Sequence, residues 1–487
     1  PPLLLSSPAG ATMSFPEIGQ SREEILSLLN DARARDLKSD GHAFAFVYDP
    51  GAETKTLARE AFAACMEGNG LDPTVYPSAR VLENALVHAI LDLMQAPEGA
   101  AGTATTGGTE SVILAVKTAR DYARKTRPHI KNPQMLLPET AHACFHKAAH
   151  YLGVEIISVA IDADTMRADV NDARAKMNDN VILVVGSAPS YAHGVVDPIT
   201  ELAALAKEHG TLMHVDACVG GCVLPFLRDN GVDVPPFDFQ VDGVTSISVD
   251  LHKYGFAPKG ISVLLQRRRE LRNAQYFACA NWTGYAIVNS SILGSKSIAA
   301  TAAALAIIKH LGRQGYRERA KKMWSATQQI VSTINHTPGI RLVAKPNANV
   351  LALTTDTGDV FELSDRLSER GWYVQPTYSF GKSPAHIHLT IDPGNADRAA
   401  DFAKDLADCA KDLPERMIPP PEVVMMLSAL AGDGGGDGIS AGDIMAQLGI
   451  TDGKLPERAG LIHRILEAAP PPVRQALLSM FMGELFS

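Results

Sequence analysis

The spacing of apolar and polar positions divides the chain into regions of different texture. From about residue 85 to 265, the short apolar runs EIISVAI, VILVVG, TLMHVDA, GVTSISVD and ISVLLQ alternate with stretches of helical spacing. Short, nearly continuous apolar runs suit strands buried on both faces, so this part reads as an α/β domain with a mostly parallel sheet covered by helices. After the Ala-rich helix SIAATAAALAIIKHLG the texture changes. GIRLVA, NVLALTT and AHIHLTID alternate as strands around the helical DVFELSDRLSERG, which predicts a smaller α+β domain.

Upstream, SREEILSLLNDARARD opens with a Ser21-x-x-Glu24 capping pattern and carries Ile25, Leu28 and Leu29 at helical spacing. These features give an N-terminal arm at 1–84, a large domain at 85–314, a small domain at 315–412 and a helical extension at 413–487. The extension begins with PERMIPPPE and is interrupted by GDGGGDG. From Asp433 the offsets of Asp437 and Gly438 resemble a calcium loop, but Gly435 and Ile444 stand where ligands are required, so a flexible connector is expected.

The composition narrows the function. A net charge of −9 over 487 residues, with no long Lys/Arg block, argues against nucleic acid as a partner and favours small ligands. Six cysteines without a CxxC pair give neither a disulfide framework nor a metal cluster, and they fit a reducing compartment. Cys218 and Cys222 read as small buried thiols. No apolar run reaches the roughly 18 residues that a membrane helix needs. Met13 reads as the natural start, and nothing before it has the form of a signal peptide.

Four stretches carry candidate chemistry. TTGGTES leads from glycines into a helical segment, offering N–H groups and a positive helix end to an anion; a plain glycine-rich turn is the competing reading. PETAHACFHKAAHYLG places His142 where an imidazole can face a pocket, although a lone histidine is more often packed. LMHVDACVGG ends an apolar strand on Asp216, a carboxylate that is costly to bury without a partner. SISVDLHKYG presents Lys253 after the next strand. An aspartate, a lysine and an anion cradle are what pyridoxal 5'-phosphate requires: an amine for its aldehyde, a carboxylate for its ring nitrogen and N–H groups for its phosphate. His386 and His388, two apart on a strand, face one side and read as structural or surface groups.

In order and spacing, GGTES, HACFHKAAHYLG, HGVVDPI, HVDACVGG, GVTSISVDLHKYGFAPKG and GSK resemble the sphingosine-1-phosphate lyases, within the group II pyridoxal-phosphate decarboxylase superfamily. The resemblance runs from about Phe15 to Ala410 and implies the fold-type-I, aspartate aminotransferase-like architecture. By motif, Lys253 corresponds to the Schiff-base lysine, Asp216 to the partner of the ring nitrogen, and His142 to the ring that stacks on the cofactor. Gly107, Gly108, Thr109 and His252 correspond to the phosphate site. Gly294 and Ser295 resemble a segment that completes this site from a neighbouring subunit, which implies a homodimer with shared active sites. Lys259 and Tyr48 resemble the pair that contacts the substrate's phosphate, with Tyr48 also a candidate for the chemistry.

One position departs from the pattern. Asp72 stands where the lyases typically carry a histidine of the phosphate cup. A carboxylate about 4 Å from a phosphate costs about 4 kcal/mol per charge pair at an effective dielectric near 20. Asp72 is therefore expected to neutralise Lys259, to bind a cationic part of the substrate, or to sit outside the pocket as a turn residue.

The resemblance implies an enzyme that cleaves a phosphorylated long-chain amino alcohol into an aldehyde and phosphoethanolamine, and the lack of an apolar run long enough for a membrane anchor makes a cytoplasmic location the expectation. The alternative is an L-amino-acid α-decarboxylase, which would use the same cofactor residues. A scaffold that has lost the chemistry is disfavoured by the joint presence of Lys253, Asp216 and His142.

Overall fold

The computed structural model describes residues 15–34, 36–416 and 458–486. The segment suggestive of a calcium loop lies outside the described residues, as does Met13.

A seven-stranded sheet forms the large domain. Its strands are β1 (Ala101–Thr105), β2 (Gln134–Pro138), β3 (Glu155–Val159), β4 (Val181–Ser187), β5 (Leu212–Asp216), β6 (Ser246–Asp250) and β7 (Ser262–Gln266), in the order β1-β7-β6-β5-β4-β2-β3. The strands from β3 to β6 pair in parallel, whereas β7 runs antiparallel to both β6 and β1. The expected mostly parallel sheet is present. The strand β1, which precedes the glycine-rich turn, was not among the apolar runs, because AGTAT is too small and polar to stand out.

Every residue of β4, β5, β6 and β7 is buried. Alternate residues enter different apolar clusters: Leu183, Val185 and Leu212 pack with Val112, Val116 and Phe145, while Val184 and Met213 pack with Leu202 and Leu205. This is the two-fold alternation of a strand whose two faces are both covered by helices. The edge strand β3 is only partly buried.

A two-stranded hairpin follows, β8 (Phe277–Cys279) and β9 (Ile287–Asn289). The long helix Ala299–His336 then crosses the expected border near residue 314 and breaks at Gly312, whose φ of 55° interrupts the helical backbone. The small domain is an antiparallel sheet of β10 (Ile340–Leu342), β11 (Val350–Thr355), β12 (Gln375–Thr377) and β13 (His386–Thr390), in the order β10-β11-β13-β12. His386 and His388 lie on β13 and are buried, so of their two expected roles the structural one applies.

At the N-terminus, the helix Arg22–Arg33 has the expected capping box: Ser21 Oγ accepts from the Glu24 N–H, and Glu24 accepts from the Ser21 N–H. None of this helix's residues is buried among the described residues. At the other end, the helix Gly460–Ala468 docks on the helix Val360–Glu369. The Gly460 N–H donates to Asp365 at 3.0 Å, and Arg464 reaches Asp359 at 2.6 Å. Among the described residues no helix is long and apolar enough to cross a membrane.

Candidate active site

Parallel strands β5 and β6 are neighbours, with Asp216 in register with Ser248, so both strands deliver polar groups to one edge of the sheet. There the residues singled out in the sequence meet around a cavity of about 480 Å³. Gly107, Gly108, Thr109, His142, Asp216, His252 and Lys253 all line it. The edge where β-strands end and helices begin is the usual ligand site of an open α/β sheet.

Lys253 projects from the turn after β6, and its Nζ lies 3.0 Å from Asp250 Oδ2. Burial alone would lower the ammonium's pKa, but Asp250, joined by Cys218, Tyr48 and Asp216, outweighs burial and holds it above the usual lysine range. Asp250 is itself buried, which pushes its carboxyl up, yet the charges of Lys253 and His252 together with hydrogen bonding more than compensate and hold it below the usual carboxylate range. His252 donates through Nδ1 to the Ile261 carbonyl at 2.8 Å, leaving Nε2 toward Asp250 at 3.6 Å.

Asp216 is held by the Cys218 N–H at 3.0 Å and by Ser248 Oγ at 3.4 Å, both on Oδ1. Burial lowers the pKa of His142 and keeps its ring neutral; its Nδ1 accepts from the Cys144 N–H at 3.2 Å. Tyr191 stands edge-on to His142, with ring centres 6.1 Å apart, and is anchored from behind by stacking on His388 and donating to Gln375 at 2.6 Å.

Gly107 and Gly108 open the helix Gly108–Thr126. Gly107 has a φ of 149°, and a Cβ on Gly108 would lie 2.8 Å from both Asp250 oxygens. Only glycines suit this close approach. Beside them, Glu110 accepts from the Thr106 N–H at 2.5 Å and the Ile292 N–H at 2.6 Å, tying the glycine turn to the segment after β9.

Tyr48 and Lys259 meet next to this cavity, the Lys259 ammonium lying 4.8 Å from the centre of the Tyr48 ring. Burial pushes the Tyr48 phenol up to about 12. Partial burial, together with the like charge of Lys253, lowers the Lys259 ammonium.

Three expected residues are not brought to the cavity. Asp72 is exposed, and its carboxylate accepts from Thr74 N at 2.8 Å and Thr74 Oγ1 at 2.6 Å. The turn reading of this residue therefore describes its place within the chain, and it makes no contact with Lys259. Gly294 and Ser295 do not line the cavity either, although Ile292 and Leu293 just before them do; Gly294 lines an adjoining cleft with Arg80 and Arg272. Sequence reasoning missed Asp250, Glu110 and Tyr191. Asp250 left a signal, since it ends an apolar strand in the same way as Asp216.

The residues present suit pyridoxal phosphate. The glycine turn leaves space and N–H groups for its phosphate, Asp216 Oδ2 has no hydrogen-bond partner among the described residues and suits the ring nitrogen, and Lys253 supplies the amine.

The "Pyridoxal-dependent decarboxylase conserved domain" matches residues 10–354, and the family described as "Pyridoxal-dependent enzyme, C-terminal putative HTH domain" matches 420–484. A sphingosine-1-phosphate lyase of Oryza sativa subsp. japonica is 37% identical over 402 residues, covering 81% of this chain and 73% of that protein. A protein of Pyrococcus abyssi named "Probable L-aspartate decarboxylase" is 34% identical over 398 residues, covering 82% of this chain and 99% of its own. Among solved structures, the Burkholderia pseudomallei K96243 sphingosine-1-phosphate lyase superposes with a TM-score of 0.80 at 32% identity, covering 84% of this chain and 95% of that one. On this extent of similarity, in sequence and in fold, the chain belongs to the pyridoxal-dependent decarboxylase family, and it is a lyase that uses pyridoxal phosphate.

Proposed function

We propose that the enzyme cleaves the carbon–carbon bond of a phosphorylated long-chain amino alcohol of the sphingosine 1-phosphate type, releasing an aldehyde and phosphoethanolamine. The observation that carries this reading is the pairing of Lys259 with Tyr48 beside Lys253, a cation and a phenol placed to receive an anionic substrate group. The extended similarity to proteins named sphingosine-1-phosphate lyases supports it.

Pyridoxal phosphate, when bound, supplies an electron sink for a carbanion formed beside the substrate's nitrogen. The chain's own groups do the remainder. Gly107, Gly108, Thr109 and His252 would hold the cofactor phosphate and Asp216 its ring nitrogen. His142, neutral and backed by Tyr191, offers a flat face that fixes the plane of the ring. Tyr48 stays protonated at neutral pH and serves as a hydrogen-bond donor. Lys259 recognises the substrate's phosphate, whose charge offsets the burial and the like charge that depress its own ammonium.

The chain acts as a homodimer, in which Gly294, Ser295 and the exposed Asp72 serve the neighbouring subunit's site. The unburied N-terminal helix and the exposed apolar residues Phe277, Tyr285, Val288 and Ile292 support a large intersubunit contact. The six free thiols fit a cytoplasmic location.

The second reading, an amino-acid α-decarboxylase, is favoured by the near-complete coverage of the Pyrococcus protein. Incubation with dihydrosphingosine 1-phosphate and with a panel of amino acids separates the two. Aldehyde release that is lost in Lys259→Ala supports the lyase; carbon dioxide from an amino acid, with no aldehyde from the phosphorylated amine, overturns it.

A further inference from the structure

We propose that Asp250 is the internal proton acceptor for Lys253, taking its ammonium proton when the lysine captures the aldehyde of pyridoxal phosphate. The inference rests on the assignment of this cavity to that cofactor. An ammonium has no lone pair with which to attack a carbonyl, so a buried lysine that meets the cofactor charged must first give up a proton. Asp250 Oδ2 is 3.0 Å from Nζ, within reach of direct transfer, and Asp250 Oδ1 has no hydrogen-bond partner among the described residues.

The other titratable groups packed around the pair are poorer acceptors. On the turn after β6, His252 points its free nitrogen at Asp250 at 3.6 Å, and Lys259 is itself a cation. After β5, the Cys218 thiol is held protonated by burial, and Asp216 is engaged through Oδ1 with Cys218 and Ser248. From the N-terminal segment, Tyr48 carries a buried, protonated phenol. From the segment before Cys144–Leu152, His142 already accepts from the Cys144 N–H. Asp250 is the carboxylate paired with Lys253 among the described residues.

The position of Gly108 gives the transfer a second consequence. Both Asp250 oxygens lie 2.8 Å from where a Gly108 Cβ would stand, so the carboxylate borders the anion cradle. An ionised Asp250 would repel an arriving phosphate; a protonated one would not. At rest Lys253 and Asp250 hold each other charged, so the transfer is disfavoured until an arriving phosphate beside Asp250 raises that carboxylate's affinity for the proton; capture and neutralisation therefore go together.

The step balances. The Nζ–H bond breaks and Oδ2–H forms; the freed lone pair makes the N–C bond; the carbonyl oxygen leaves as water with the two remaining Nζ hydrogens. The proton on Asp250 stays in the site and can return to the nitrogen, and no oxidant or reductant is needed.

The test uses the full chain stripped of its cofactor and follows the visible absorption that develops as pyridoxal phosphate is added. Wild type should load at a rate that changes little between about pH 6 and 9, because the acceptor is internal. Asp250→Asn should load about 100-fold more slowly near neutrality, the lower end of general-base contributions, with a rate that climbs with pH and with added buffer base. Asp250→Ala should be equally slow and should be accelerated by formate, which should leave wild type unchanged. Loading of Asp250→Asn as fast as wild type, or indifference of Asp250→Ala to formate, overturns the proposal. A wild-type chain that takes up no pyridoxal phosphate at any pH overturns the cofactor assignment instead, so the two failures are distinguishable.

Discussion

Gly108→Ala puts one methyl group into the tightest place in the active site. The new Cβ would lie 2.8 Å from each oxygen of Asp250 and 3.0 Å from Cys218 Sγ, closer than carbon approaches either atom without displacement. Asp250 cannot simply swing away, because it is buried and tied to Lys253 at 3.0 Å. Without cofactor, the start of the helix Gly108–Thr126 can move outward and relieve the contact. A bound phosphate fixes its N–H groups and removes that escape, so the strain falls on binding. Overpacking of this kind costs about 1–3 kcal/mol. At about 1.4 kcal/mol per tenfold, the variant should bind pyridoxal phosphate about 5- to 150-fold more weakly. Titration of the cofactor-free chain, followed by absorption, measures the loss, and a melting curve without cofactor should change far less. Unchanged affinity, or a loss seen only as lower stability without cofactor, refutes the reasoning.

Glu110→Gln retains one acceptor oxygen where two now serve Thr106 and Ile292, so one of the two loops must come free. Hydrogen exchange should quicken at Thr106 or Ile292, and cofactor affinity should fall about tenfold, in keeping with one lost charge-assisted bond; equal protection at both amides would count against the clamp. Asp392 is buried with Oδ2 unpartnered among the described residues, and burial pushes its carboxyl from 3.8 up to about 7. Because the folded pKa is the higher one, the stabilising state is the protonated one; stability is full below the ordinary carboxylate pKa and is lost as pH rises through about 7. Asp392→Asn, whose oxygen can still accept from Gly394 and Asn395, should melt above wild type at about pH 8 by on the order of 3 kcal/mol, with the gap closing toward about pH 4. A variant less stable than wild type at both pH values would show that the carboxylate is not the strained group.

Much of this protein was legible along the chain, where the controlling physics is local. The capping box at Ser21 depends on residues three apart, the central strands announce themselves because both of their faces are apolar, and Asp216 and Lys253 stand out as polar groups at strand ends. Local pattern says little about what a strand's end will face. The sequence offers two carboxylates at strand ends: the turn after β6 folds back locally to set Lys253 against Asp250, three residues earlier, whereas it is the adjacency of β5 and β6 that brings Asp216, far off in sequence, to the same cavity. Gly108 becomes intolerant of a side chain only because its helix packs over the end of β6. Asp72 and Lys259, which the motif pattern groups in one cup, do not meet within one chain, where Asp72 is exposed and turned to Thr74. Residue types and their periodicity determined the elements and the chemistry available; distances across the sheet, set by strand order and helix packing between residues far apart in sequence, decided which of those groups act on one another.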